Sequence, residues 1–236
     1  MSISNPRCLY CHGAVDYKAS WSSLLLPGGN VQLCEECRKR LSKLEGNLCL
    51  KCSRILQQEY EQEGCCHDCF RWEKDAEWSG VLSKNLSAFQ YNDFMKEIIS
   101  RFKFRGDYVI GKAFGNELRS CLDAFEYDLL IPVPLSPERL YERGFNQAEA
   151  LIDAADLQWT QALERIHGEK QSKKSRNERI HLSQVFKCLE GSAVSVKDKR
   201  IVLVDDIYTT GSTLRHAAKV LLERGAKTIS SVTLAR

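Results

Sequence analysis

The chain has 236 residues, with 34 Lys+Arg against 31 Asp+Glu, a formal net charge of +3 and an apolar fraction of 43%. That composition is too apolar and too balanced in charge for a disordered chain. No run approaches the roughly 18 consecutive apolar residues of a membrane helix. Leu24-Leu25-Leu26 is too short for a secretory core, so a cytoplasmic protein of one or two domains is expected.

Of the eleven cysteines, nine fall at Cys8, Cys11, Cys34, Cys37, Cys49, Cys52, Cys65, Cys66 and Cys69, and only Cys121 and Cys188 follow. Four C-x-x-C pairs stand in series. Each short turn aims two sulfurs at one point, which suits tetrahedral zinc. Sequential pairing gives two structural ions, one on Cys8, Cys11, Cys34 and Cys37, the other on Cys49, Cys52, Cys66 and Cys69. Cys65 competes with Cys66, which is favoured because it keeps the two-residue gap. His12 and His67 are then bystanders, and Cys121 and Cys188 small core residues. A disulfide framework would need an oxidising compartment, and one redox dithiol would not explain four repeats. Eight protein ligands leave no place for water, so the ions are structural, and a module this small draws much of its folding energy from them.

The texture changes after Trp78, giving an expected division into a double zinc-ribbon module at 1–78 and a second domain at 79–236. Ser87–Tyr91 reads as a strand. Asn92-Asp93 caps a helix to about Arg105, with Phe94, Met95, Ile98, Ile99 and Phe102 on its apolar face, and a second helix runs from Tyr108 to Phe125. Asp128–Pro134 reads as a buried parallel strand and Asn146–Asp153 as a helix. Arg200–Val204 is a strand, Ser212–Arg224 a helix and Thr228–Leu234 a last strand. This alternation predicts an α/β fold with a mostly parallel sheet.

The segment Ile201-Val-Leu-Val-Asp-Asp-Ile-Tyr-Thr-Thr-Gly-Ser-Thr213 carries the strongest chemical signal. A buried strand delivers Asp205 and Asp206 to its carboxyl end, where open α/β sheets bind ligands. The loop Thr209, Thr210, Gly211, Ser212, Thr213 then opens into a helix, so hydroxyls, N–H groups and the helix dipole converge on a phosphate-sized anion site. The paired carboxylates can accept bonds from sugar hydroxyls or assist a divalent ion on a diphosphate.

This segment resembles the phosphoribosyl diphosphate (PRPP) signature of type I phosphoribosyltransferases. The resemblance implies ribose hydroxyls on Asp205 and Asp206, the 5′-phosphate on Thr209–Thr213, Mg²⁺ bound with PRPP, and a pyrophosphate loop near Leu135–Arg139 after the strand ending Ile-Pro-Val-Pro134. Arg139-Leu-Tyr-Glu-Arg-Gly-Phe-Asn-Gln147 is similar to the R-x-x-x-R-G-F-N-Q signature of the ComF family, late competence proteins of DNA uptake that also carry an N-terminal cysteine module. Phe102-Lys-Phe-Arg-Gly-Asp107 fits that family too. Of its Q-(x)7-R-x-x-N-(x)3-F segment, Gln171, Arg179 and Phe186 match, while Leu182 stands where Asn is usual.

The family reading implies Mg-dependent phosphoribosyl transfer to an unidentified acceptor, with Arg143 and Arg179 as catalytic cations. The alternative is a PRPP-responsive regulator or assembly factor without turnover. Implied partners are a competence helicase, other DNA-uptake proteins and single-stranded DNA. The stretch Lys170–Lys187 sets six cations against the single carboxylate Glu178, net +5, and suits closure over pyrophosphate. With only Phe186 to stack a base, it suits single-stranded DNA less well. Glutamine amidotransfer is not expected, because the first cysteine is Cys8. A base-binding hood must precede Pro132, so the zinc module is expected over or beside the site. Counting each four-cysteine zinc centre as −2 turns the formal +3 into about −1. It leaves 1–78 near −5 and 79–236 near +4.

Overall fold

The computed structural model describes residues 6–15, 33–57, 61–104, 107–166, 185–189 and 194–236. Its elements are α1 (Glu35–Lys39), β1 (Glu61–Gln62), β2 (Cys65–Cys66), α2 (His67–Lys74), β3 (Asn85–Phe89), α3 (Asp93–Phe104), a 3-10 helix (Tyr108–Phe114) and α4 (Gly115–Leu122). There follow β4 (Leu129–Pro132), α5 (Pro137–Arg143), α6 (Gln147–Ala154), β5 (Leu163–Arg165), β6 (Phe186–Cys188), β7 (Arg200–Ile207), α7 (Ser212–Glu223) and β8 (Thr228–Ala235).

The main sheet is parallel throughout, in the order β3-β8-β7-β4. Its central strands are buried on both faces, and alternate residues serve opposite layers. Val202 and Val204 pack with α3, α4 and α6, whereas Ile201 and Leu203 pack with α7 and with the antiparallel hairpin β5–β6. The fold is thus α/β with flanking helices, as the alternation of elements predicts.

The cysteine-rich segment wraps the β3 edge of this sheet. Asn85 N donates to Lys51 O at 2.8 Å and Gln90 N to Ser42 O at 2.8 Å, which covers an otherwise open edge. Its first quartet shares a core with α3, α4 and α6, while its second shares one with α7 and the hairpin. Between β3 and β8 runs a buried polar ladder. Ser231 Oγ donates to Asn85 Oδ1 at 2.8 Å, and Ser87 Oγ lies 2.7 Å from Thr233 Oγ1.

Several boundaries differ from the sequence reading. The first strand of the main sheet is Asn85–Phe89, earlier than Ser87–Tyr91. The single helix expected over Tyr108–Phe125 divides into the 3-10 turn and α4. At the junction a Cβ on Gly115 would meet Ala154 O at 2.0 Å, so α4 begins where its backbone lies against the end of α6. Strand β7 continues through Asp205 and Asp206 to Ile207, because β8 keeps pairing with it: Asp205 sits opposite Thr233 and Ile207 opposite Ala235. Helix α5 is absent from the sequence reading. Ser136 caps it, Pro137 opens it and Gly144, at φ 79°, closes it.

Candidate functional site

Each cysteine quartet is built from one tight turn and one helix start. In the turns, His12 N donates to Cys8 O and Ser53 N to Cys49 O, and the residue after the second cysteine adopts positive φ (His12 61°, Ser53 62°). In the helix starts, Cys34 precedes α1 and Cys66 precedes α2, placing Cys37 and Cys69 three residues on, within the helices. Sulfurs of Cys8, Cys11, Cys34 and Cys37 lie within 4.8 Å of one another, as do those of Cys49, Cys52, Cys66 and Cys69, so each group could hold one metal ion. Cys66, and not Cys65, is the one whose sulfur lies with the other three. Cys65 lies outside the quartet, its thiol pushed up to about 11 by burial and by the Cys49 sulfur.

Asp205 and Asp206 stand at the carboxyl end of β7. Asp206 N donates to Asp205 Oδ1 at 2.9 Å, and the buried Asp206 carboxylate forms an ion pair with Lys103 at the end of α3. Burial first, then the Asp206 charge, push the Asp205 carboxyl up to about 7, with Lys103 opposing. Arg143 closes α5, and its Nη1 donates to Gln147 Oε1 at 2.7 Å. Burial depresses both Arg143 and Arg165, the neighbouring Arg139 acts in the same direction, and the Asp205 charge resists. Cations from α3, α5 and β5 thus act on the acidic pair. Of these, Arg165 is not singled out by the sequence, and Lys103 stands in the family-like segment Phe102–Asp107 without an assigned role. Arg179 and the basic stretch from Lys170 to Gln184 lie outside the described residues.

Beyond the pair, Tyr208 turns inward. Its N–H donates to Ala235 O at 2.9 Å, and its buried hydroxyl accepts a bond from Arg215 Nη1 at 2.7 Å. Gly211 bends the loop at φ 78° into α7. A Cβ there would fall 2.2 Å from the Tyr208 hydroxyl and 2.3 Å from Arg215 Nη1. Thr209, Thr210 and Gly211 precede α7, and Ser212 and Thr213 open it.

The second quartet lies directly behind this loop. Trp72 Nε1 donates to Thr210 O at 2.9 Å, and the Arg215 guanidinium sits 4.8 Å from the Trp72 ring centroid. Arg236 reaches from the end of β8 to the same place. It donates to Tyr208 O at 3.2 Å and to Thr209 O, and through Nη2 to Cys52 Sγ at 3.4 Å. Trp72, Arg215 and Arg236 carry no sequence signal.

Residues 140–236 match the family model of the phosphoribosyl transferase domain. Over 233 residues the chain is 40% identical to the competence protein ComFC of Bacillus subtilis, covering 97% of this chain and 94% of that one. It is 34% identical over 231 residues to the ComFC protein of Streptococcus pneumoniae, covering 98% of this chain and 100% of the relative. Competence protein F of Haemophilus influenzae is 27% identical over 250 residues, covering 100% and 99%. Among the described residues, no helix is long and apolar enough to cross a membrane.

Proposed function

The chain belongs to the ComFC family of competence proteins, and from that premise we propose that it binds PRPP with Mg²⁺ and transfers the phosphoribosyl group during DNA uptake in the cytoplasm. One observation carries this reading. An acidic pair and a hydroxyl–glycine loop meet at one strand end, with cations from α3, α5 and β5 acting on the pair.

The loop Thr209–Thr213 would take the 5′-phosphate at the start of α7. Asp205 and Asp206 would accept bonds from the ribose hydroxyls, so the Lys103 ammonium must yield part of its hold on Asp206. When the C1–O bond breaks, pyrophosphate leaves with the bonding pair, the acceptor bonds to C1, and the acceptor's proton passes to solvent or base. Arg143, Arg165 and Arg139 would stabilise the departing charge, with Arg179 as a further catalytic cation. Mg²⁺ bound to the diphosphate would offset further charge.

The cysteine groups fit structural zinc. All eight donors are sulfur, four per ion, and leave no open position for water. On this reading 1–78 is the metal module and 79–236 the phosphoribosyl domain.

Titrating Mg-PRPP calorimetrically, then assaying pyrophosphate release with bases, amines or single-stranded DNA supplied, tests the reading. Saturable binding and release are expected, with both lost in Asp205→Ala plus Asp206→Ala. Binding without release would move the protein to the PRPP-responsive regulators. Absence of binding by folded, zinc-loaded protein would refute both.

A further inference from the structure

Two side chains tie the second cysteine quartet to the back of the anion loop, and the transfer chemistry uses neither. Arg236 is fixed first through its backbone. Its N–H donates to Phe89 O and its carbonyl accepts from Tyr91 N, both at 2.9 Å, so it extends the β3–β8 pairing. Its guanidinium lies 4.7 Å from the Tyr208 ring centroid. One side of the fork donates to the carbonyls of Tyr208 and Thr209, the other to Cys52 Sγ. Trp72 stands one helical turn after the quartet ligand Cys69 and donates to the next carbonyl, Thr210. Three successive loop carbonyls are therefore held from the side of the cysteine quartet.

That arrangement dictates where the loop's donors point. None of the described peptide bonds is cis. In a trans peptide, the carbonyl of one residue and the N–H of the next point in opposite directions. Fixing the carbonyls of Tyr208, Thr209 and Thr210 toward the quartet thus aims the N–H groups of Thr209, Thr210 and Gly211 away from it. With Gly211 left-handed at φ 78°, these successive N–H groups form an anion-binding concavity. The quartet controls one end of this linkage. A metal ion bound to the quartet would hold its four sulfurs at one point and fix Cys52 Sγ where Arg236 Nη2 reaches it, and removal of the ion would release that anchor.

We propose that Arg236, assisted by Trp72, is a positioning residue that makes the donor geometry of the anion loop depend on the metal in the second quartet. Its ligand consequences rest on the phosphoribosyl reading above, while its effect on the loop does not. An ammonium cannot replace it, because the planar fork must reach a sulfur and two carbonyls at once.

The test uses the full chain with Co²⁺ in both quartets. Calorimetry reports Mg-PRPP binding, and the sulfur-to-cobalt absorption band reports the metal. In the natural chain, saturating Mg-PRPP shifts the band and, in equilibrium competition with a chelator, raises the affinity for one of the two ions several-fold. By thermodynamic reciprocity, the metal strengthens PRPP binding by the same factor. Arg236→Gln and Arg236→Lys keep two metal ions but lose the band shift and bind Mg-PRPP at least tenfold more weakly. A ligand-free arm measures hydrogen exchange at Thr209–Thr213, which quickens several-fold in Arg236→Gln at full metal content. Should Arg236→Gln fail to hold both ions, Arg236→Lys and Trp72→Phe, which keeps an aromatic ring and loses the donor, take its place. Binding of PRPP with an unchanged band, or unchanged exchange in these variants, overturns the inference. If the natural chain binds no PRPP, the phosphoribosyl reading falls, and the exchange arm alone decides the role of Arg236.

Discussion

Lys103 Nζ and the Asp206 carboxylate form an ion pair between the end of α3 and the end of β7, and both side chains are largely enclosed. Removing one partner of an enclosed pair leaves the other charge uncompensated, at a cost of about 3–5 kcal/mol. Lys103→Met is therefore expected to destabilise the protein by roughly that amount at pH 8. Urea unfolding of the variant and the natural chain measures the difference.

The Asp205 carboxyl, pushed up to about 7 by burial and by Asp206, makes its own pH signature. Its folded value lies above the ordinary carboxyl value of about 3.9, so the folded state holds the proton more tightly than the unfolded chain does. The stability this contributes is fully present below about pH 4 and is lost as pH rises through about 7. The stability of the natural chain relative to Asp205→Asn should fall by a few kcal/mol across that window and level off above it. Denaturant titrations of both proteins from pH 4 to 8 provide the comparison.

At Gly211 two requirements coincide: a left-handed backbone, and room for the Tyr208–Arg215 hydrogen bond. Gly211→Ala incurs the left-handed penalty of about 1–2 kcal/mol and must also displace buried neighbours. The expected result is a lower melting temperature together with loss of Mg-PRPP binding. An unchanged affinity would show that the bend does not shape the site.

Cys65 and Cys66 are adjacent, yet only Cys66 belongs to the second quartet. Metal analysis should find two zinc ions in Cys65→Ser and fewer in Cys66→Ser. Cys66→Ser should also unfold at lower temperature, since metal binding contributes folding energy. Equal zinc contents would reverse the assignment of the ligand.

The parts of this fold legible in the sequence are those whose physics is local. The run Ile201–Thr213 is contiguous, so strand, acidic pair, loop and helix can be read in order. The C-x-x-C spacing likewise encodes the quartets. Lys103 is not legible as a site residue, because its neighbours Phe102 and Phe104 look like the end of an ordinary amphipathic helix. Arg165 lies on a three-residue strand, too short for a period of two to show. Arg236 reaches Cys52 across 184 positions, and only tertiary structure brings the two together. Asn146 shows the converse. It belongs to the family signature, yet its side chain caps α6 through Ala148 N and donates to Val133 O, a supporting part. Helix α5 has legible signals in Ser136, Pro137 and Gly144, which a reading of Leu135–Arg139 as a loop does not use.

The placement of β8 also sets a timetable. It lies between β3 and β7, and its Ser231 bonds to Asn85 from 146 positions further along the chain. At about 5–20 residues per second, a ribosome takes on the order of ten seconds or more to cover that interval. Throughout it β3 has no sheet neighbour, and the cysteine-rich wrap along its edge is the native cover already synthesised. Zinc acquired early would therefore shield a nascent strand from pairing with other chains, which makes metal supply a matter of yield as well as of final stability.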